Sequence, residues 1–177
     1  MNASPIFHRL ALLAPLLCLG FVSISCTGYQ LQTGRPQALT HVKKISVPLF
    51  ENKTLVPRGE ILATNSVVDA ITNDGTYHIA TLHEADAVLE GTMETITYSQ
   101  VRSTRLDTLR SEEMENTVTL HWQLLDASTR KILSTGKATG SSRFAIDANQ
   151  QTARQNALPD ALQRAATQVV GRLTDDF

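Results

Sequence analysis

The stretch TVTLHWQLL, residues 117–125, decides the fold, because its side chains alternate between two chemical types. The even positions are apolar: Val118, Leu120, Trp122 and Leu124. The odd positions from 117 to 123 are polar: Thr117, Thr119, His121 and Gln123. Successive side chains of a strand point to opposite faces, so this pattern predicts a one-sided sheet. One face is expected to be buried, and the other to be wet or covered by a partner.

The segments on either side of this strand also read as strands. ADAVLEGTMETITYSQV, residues 85–101, is long, but its apolar parity changes between Leu89 and Met93 on one side and Ile96 and Tyr98 on the other. A β-bulge near Glu94 would reconcile the two halves. After the turn DASTRK, residues 126–131, the segment ILSTGKATGSSRFAI, residues 132–146, returns as a strand rich in glycine, serine and alanine.

The N-terminal half supplies a short strand and a helix. KKISVPLF, residues 43–50, alternates as a strand, and Pro48 places it at an edge or ends it there. The helix is predicted over 58–73, and Gly75 is placed to terminate it in the left-handed conformation. Its predicted buried stripe comprises Ile61, Thr64, Val67, Val68 and Ile71. YHIAT, residues 77–81, is a brief second strand.

The last element is an amphipathic helix in which Pro159 is predicted either to open the helix or to kink it. Its apolar stripe is Leu158, Ala161, Leu162, Ala165, Ala166, Val169, Val170 and Leu173. The element order is therefore β-α-β-β-β-β-α. This order predicts an α+β two-layer sandwich, with two helices packed on one face of a four- to five-stranded mixed, mostly antiparallel sheet.

The N-terminus is typical of an export signal. Residues 1–9 carry a basic residue, and LALLAPLLCLGFVSI, residues 10–24, has no charge but is short for a membrane span. An uncleaved N-terminal anchor is the alternative. We predict a removed signal peptide over 1–25, a lipidated tether over 26–42 and a single α+β domain over 43–177.

Cys26 follows a small residue in VSISC, which resembles the lipobox of bacterial lipoproteins, although Ser23 stands where that pattern usually has leucine. Cys18 would leave with the signal, so Cys26 would have no intramolecular disulfide partner. The resemblance implies that Cys26 is acylated and anchors the chain to a membrane. By the sorting rule of such proteins, Thr27 after the cysteine implies the outer membrane.

Composition and motifs argue against two other functions. The chain has 16 basic and 17 acidic residues and only 5% aromatic residues, which disfavours nucleic acid as a partner. His78 and His83 with Asp86 could suggest a metal, but no recognised ligand spacing supports them, and surface histidines are the simpler interpretation. We find no nucleophile elbow or phosphate-binding loop, so we expect neither catalysis nor a cofactor.

Three motifs in order resemble the LptE family of lipopolysaccharide-assembly lipoproteins. They are CTGYQL (residues 26–31), ISVPLFENKT (45–54) and ADAVLEGTM (85–93). Thr27, between the cysteine and the Gly-Tyr pair, departs from the family pattern. The resemblance implies a non-enzymatic plug of the outer-membrane β-barrel LptD, which helps the barrel assemble, binds lipopolysaccharide and faces the periplasm and the barrel lumen.

Lipopolysaccharide binding requires cations near phosphate, and arginine suits this because its planar fork pairs with phosphate in a bidentate manner. The candidates are Arg102, Arg105 and Arg110 in the hairpin VRSTRLDTLRSEE, residues 101–113, with Arg143 and Arg154, near the loop entering the last helix, as weaker ones. A solvated loop is the simpler interpretation of the hairpin. The alternative function is an envelope or secretion scaffold lipoprotein, similar to curli-secretion or TolB N-terminal modules, that associates with itself or with other lipoproteins.

Overall fold

The computed structural model of the chain describes residues 39–102, 113–145 and 149–174. Within these ranges, the elements in chain order are β1 (Lys44–Ser46), β2 (Glu51–Asn52), α1 (Gly59–Asp74), β3 (His78–Ile79), β4 (Ala87–Arg102), β5 (Glu113–Asp126), β6 (Ile132–Ala145) and α2 (Gln150–Thr174). The predicted α+β class with two helices and a mixed sheet is confirmed.

The sheet has six strands, with the path β3-β1-β4-β5-β6 and with β2 beside β4. The short strands are parallel to their neighbours, whereas β4, β5 and β6 form a long antiparallel meander. β1 lies within the first predicted strand, residues 43–50, whereas β2 follows that segment and was not predicted; both strands pair with β4. Pro48 lies between them, where it interrupts the ladder because it has no N–H to donate.

The predicted bulge in β4 is confirmed. The register with β5 shifts between Met93 and Thr95, so that Glu94 is the extra residue. This shift returns Ile96 to the face that Leu89 and Met93 occupy, because a residue added to one strand reverses the side-chain parity beyond it. A single apolar face therefore continues along most of β4.

Both helices contribute to one core on this face, which we call the inner face. The even positions of β5 from 118 to 124 are buried, as predicted, and Trp122 is only 1% exposed. The predicted stripe of α2 is also buried along its whole length. In α1 the buried stripe includes Ala63, Thr64, Val67, Ala70 and Ile71.

The prediction for Ile61 is wrong, since this side chain is 44% exposed. The small residues Ala63 and Ala70, rather than Ile61, bring α1 close to its neighbours. Gly75 has φ 75° and its N–H donates to the carbonyl of Ile71, so the predicted helix end is confirmed.

Helix α2 begins at Gln150 and continues through Pro159, so this proline lies inside the helix and does not open it. The helix lies directly on β6 at Gly140. A Cβ atom at that position would stand 2.0 Å from the carbonyl oxygen of Ala161 and 2.4 Å from the nitrogen of Ala165. Only a residue without a side chain permits this approach.

The two ends of the sheet are distinguished by which strands begin and finish there. We call the end where β4 begins and β5 ends the proximal end, and the end where β4 finishes and β5 begins the distal end. Residues 39–43 lead into β1 at the proximal end, where β1 pairs with the start of β4. The described part of the chain therefore enters the fold at the proximal end, opposite the end where β4 finishes and β5 begins.

Candidate functional site

The second motif that carries the family resemblance, residues 45–54, builds the fold rather than a reactive site. Phe50 is 2% exposed and its ring covers Gly91, where any side chain would collide with it. The Phe50 N–H donates to Thr64 Oγ1 at 2.9 Å, which ties the strand segment to α1. Asn52 accepts hydrogen bonds from the backbone and the hydroxyl of Thr54 and so shapes the turn that leads toward α1.

Asp86, in the third motif, holds β1 against β4. Its Oδ2 accepts the backbone N–H groups of Lys43 at 2.9 Å and Lys44 at 2.8 Å. These two bonds lower the pKa of the Asp86 carboxyl, because they favour its charged form. The carboxylate considered above as a metal ligand is thus engaged by backbone donors.

The outer face of the sheet, opposite the helices, carries three ion pairs between strands or a strand and a turn. Arg130 pairs with Glu90 at 2.6 Å, Lys137 with Glu94 at 2.9 Å and Arg143 with Glu115 at 3.4 Å. The hydrogen bond from Lys137 lowers the pKa of the Glu94 carboxyl. Exposed pairs of this kind contribute only about 0–1 kcal/mol each, so their main effect is a hydrated, charge-balanced face.

Hydroxyl and amide groups fill the rest of the outer face between these pairs. Gln123 donates to Glu90 at 3.3 Å, and Thr92 donates to Glu51 at 3.3 Å. An open groove of about 420 Å³ lies here, with Pro48 and Leu49 among its lining residues. Leu49 is 64% exposed and is an apolar group beside this polar surface. The arrangement is suited to contact with a polar surface.

An aromatic and cationic cluster lies toward the distal end of the inner face. The rings of Tyr98 and Phe144 meet edge to face at 6.4 Å, and the Arg154 guanidinium lies 4.6 Å from the centre of the Tyr98 ring. Such a cation–π contact fixes the guanidinium against the sheet. Arg154 Nε is buried and has no hydrogen-bond partner among the described residues.

Beside this cluster, a buried polar network joins β5, β6 and α2. Asn116 Oδ1 accepts the Ser142 N–H at 3.1 Å, and the Ser142 hydroxyl lies 2.6 Å from the carbonyl oxygen of Ala157. Asn116 is fully buried, and within the part of the chain that the structure describes its Nδ2 has no hydrogen-bond partner. Such polar groups in a core specify how the helix sits on the sheet.

The structure describes some of the predicted site residues and places them in different parts of the fold. Arg154 is in α2 against Tyr98, and Arg143 is on the outer face against Glu115. The backbone of Arg102 ends β4 and pairs with Glu113. Cys26, Arg105 and Arg110 lie outside the described residues, so their assignments stay predictions.

Two contacts at this site were not predicted from the sequence. The Tyr98–Arg154 contact and a hydrogen bond from the Thr139 N–H to Gln168 Oε1 each join α2 to a strand far away in sequence. The change of parity at Glu94 signalled that Tyr98 points inward, but no pattern signalled its partner. No signal in the sequence indicated the Gln168 contact.

Among the described residues, no helix has the length and apolar character to cross a membrane. Over the same ranges, no group of three or more histidine, cysteine, aspartate or glutamate side chains is placed to hold a metal ion.

Solved structures share this fold at low sequence identity. A single-residue variant of the PelC dodecamer from Paraburkholderia phytofirmans superposes with a TM-score of 0.53 at 19% identity, covering 81% of this chain and 96% of that one. The hypothetical protein CT253 from Chlamydia trachomatis has a TM-score of 0.52 at 6% identity, with coverages of 73% and 94%. XCC0632 from Xanthomonas campestris has a TM-score of 0.51 at 15% identity, with coverages of 75% and 84%. These likenesses establish the fold alone.

Sequence comparison defines the class. No curated protein is significantly similar to the chain. A family model described as lipopolysaccharide-assembly, LptE, matches residues 42–173, which include all six strands and nearly all of α2. The class is therefore that of lipopolysaccharide-assembly proteins. The chain belongs to the LptE family, as the three motifs predicted.

Proposed function

We propose that the chain is a non-enzymatic outer-membrane lipoprotein that plugs the LptD barrel, helps it assemble and binds lipopolysaccharide during delivery to the outer leaflet. The family match over residues 42–173 is the observation that carries this proposal. Under this proposal, acylated Cys26 anchors the mature chain, and the folded part faces the periplasm and the barrel lumen.

The outer face of the sheet supports the plug. The lumen of a transmembrane barrel is polar, so a plug must present hydrogen-bonding groups and few unpaired charges. The outer face does so through three ion pairs and the Thr, Gln and His side chains between them. We propose that this face contacts the lumen wall.

The length of the antiparallel meander also supports this role. Strand β4 has 16 residues, which at about 3.3 Å per residue extend roughly 50 Å. The hydrocarbon core of a bilayer is only about 30 Å thick. A plug whose proximal end is tethered near the inner leaflet could therefore carry its distal end to the outer leaflet.

The distal end supplies the cations for lipopolysaccharide. Arg102 ends β4, and residues 103–112, which include Arg105 and Arg110, connect β4 to β5. Arg154 projects from α2 against Tyr98, one of the distal residues of β4. We propose that these four arginines contact lipopolysaccharide phosphates, with Arg105 and Arg110 contributing most because Arg154 is also bound to the Tyr98 ring.

We expect the double substitution Arg105→Asp and Arg110→Asp to weaken binding of purified lipopolysaccharide by at least about tenfold, because two charge-assisted hydrogen bonds would be lost. The measurement is equilibrium binding to the full chain in detergent, with thermal unfolding as the check on folding. The matched control is Arg164→Asp with Arg172→Asp, which makes the same change of net charge at exposed positions of α2. Unchanged binding by the distal variant, or an equal loss in the control, would remove Arg105 and Arg110 from the site.

The second candidate is an envelope scaffold that associates with itself or with other lipoproteins. It is favoured only by the shared fold of the PelC dodecamer, and that likeness does not extend to function. The two candidates differ in what accompanies the protein from the outer membrane: a large β-barrel for the first, further copies or other lipoproteins for the second.

A further inference from the structure

Strand β6 forms a long edge of the sheet that lacks a strand partner among the described residues. It ends the path β3-β1-β4-β5-β6 and has 14 residues. On the other side of the sheet, β3 has only two residues, and the part of β4 beyond its pairing with β2 at Met93 also lacks a strand partner among the described residues. A long free edge presents a row of backbone N–H and C=O groups to any other strand, and proteins commonly block such edges. The edge of β6 is therefore open to strand addition.

Helix α2 occupies the middle of this edge through one side chain. The backbone N–H of Thr139 donates to Gln168 Oε1 at 2.6 Å. The N–H of Ser142, at the opposite parity, instead donates toward β5, to Asn116 Oδ1. Since N–H groups alternate between the two edges of a strand, the Thr139 N–H belongs to the free edge. The Gln168 amide thus takes the place that the carbonyl of an added strand would take.

The pattern of charges along β6 is compatible with pairing of this edge with itself. An antiparallel pair of β6 strands centred on Thr139 would set Lys137 opposite Ser141 of the other copy, and Arg143 opposite Thr135. No like charges would then stand directly opposite each other, which is the arrangement that would oppose pairing. Inner-face positions 138 and 140 are alanine and glycine, which offer no bulky side chain in this register.

We propose that Gln168 blocks the β6 edge against antiparallel pairing with β6 of a second copy of this chain. The side chain satisfies the N–H at the two-fold centre of that pairing and stands in the plane of the sheet. Removing it would leave the edge free to bind a second copy. This proposal does not rest on lipopolysaccharide binding or on the barrel.

The first test replaces Gln168 by alanine in the full chain, purified in detergent micelles, and measures self-association by sedimentation velocity. We expect the dimer of Gln168→Ala to form at least about tenfold more tightly than that of the unaltered chain. In this variant the backbone N–H of Thr139 has lost its acceptor and can donate to the second copy instead. Gln155→Ala is the matched control, since Gln155 is an exposed glutamine on the same helix. It should behave as the unaltered chain does.

A second substitution locates the interface. Thr139→Pro in the Gln168→Ala background removes the outward N–H, and its ring obstructs an added strand, while the ladder with β5 loses no donor. We expect this double variant to return to the weak association of the unaltered chain. Circular dichroism and thermal unfolding would show whether it is folded.

Cross-linking gives an independent result if the proline variant does not fold. In Gln168→Ala chains with Cys18 and Cys26 replaced by serine, Thr139→Cys should form an intermolecular disulfide, because the proposed register places the two copies of position 139 about 5.5 Å apart. Thr135→Cys should not, since its two copies would lie about 26 Å apart.

Tighter dimerisation by Gln168→Ala, with suppression by proline or with the cross-link at 139 but not at 135, would support the proposal. It would be overturned if Gln168→Ala associated no more tightly than Gln155→Ala. It would equally be overturned if the folded proline variant still associated, if both cysteines cross-linked alike, or if Gln168→Ala captured a different protein instead of itself.

Discussion

Replacing Trp122 by alanine is expected to lower the free energy of unfolding by about 3–5 kcal/mol, the range for a large aromatic side chain removed from a core. Trp122 is 1% exposed, and its indole lies over Gly136 on the neighbouring strand β6. The measurement is chemical denaturation followed by circular dichroism, because the substitution removes the only tryptophan.

His121→Ala is the matched control for this experiment. His121 is the preceding residue of β5, and it is exposed on the outer face. Its replacement is expected to change the free energy of unfolding by less than about 0.5 kcal/mol. A near-neutral result for Trp122→Ala, or a larger loss for His121→Ala, would mean that the inner and outer faces of the sheet are assigned the wrong way round.

Replacing Gly140 by alanine is expected to cost about 3 kcal/mol, at the upper end of the usual range for overpacking. The added methyl group would stand 2.0 Å from the carbonyl oxygen of Ala161, which belongs to helix backbone and cannot rotate away. Helix α2 would have to shift from β6, and the network of Ser142 with Ala157 would be disturbed. Thermal and chemical denaturation would measure the loss.

Ser141→Ala controls for a change in the same strand, since residue 141 points to the opposite face from Gly140. We expect it to be nearly neutral. If Gly140→Ala were as stable as the unaltered chain, the close approach of α2 to β6 at this point would be contradicted.

The parts of the fold that follow from local periodicity were predicted from the sequence. The alternation in β5, the parity change at Glu94 and the apolar stripe of α2 each record which face of one element is buried. β1 lies within the first predicted strand, whereas β2 was not predicted, because a strand of two residues shows no periodicity. Ile61 was placed in the core because it is apolar, whereas the packing of α1 selects smaller residues.

The candidate site was less predictable than the fold, because its contacts join residues far apart in sequence. Arg154 was singled out for its charge, but its position over the Tyr98 ring depends on how α2 crosses the sheet. The contact of Gln168 with the Thr139 N–H depends on the same crossing and on β6 being an edge. Single-sequence patterns carry no information on either geometry.

The most direct test of the proposed function is to purify the tagged full-length protein from detergent-solubilised outer membranes and to analyse its partners and its own N-terminal peptide by mass spectrometry. We predict a large β-barrel in near-equal amount, together with acylated Cys26 as the first residue. Recovery of an acylated chain with only further copies of itself or other lipoproteins would contradict the plug and favour the scaffold. A free Cys26 or a retained signal peptide would contradict the lipid anchor.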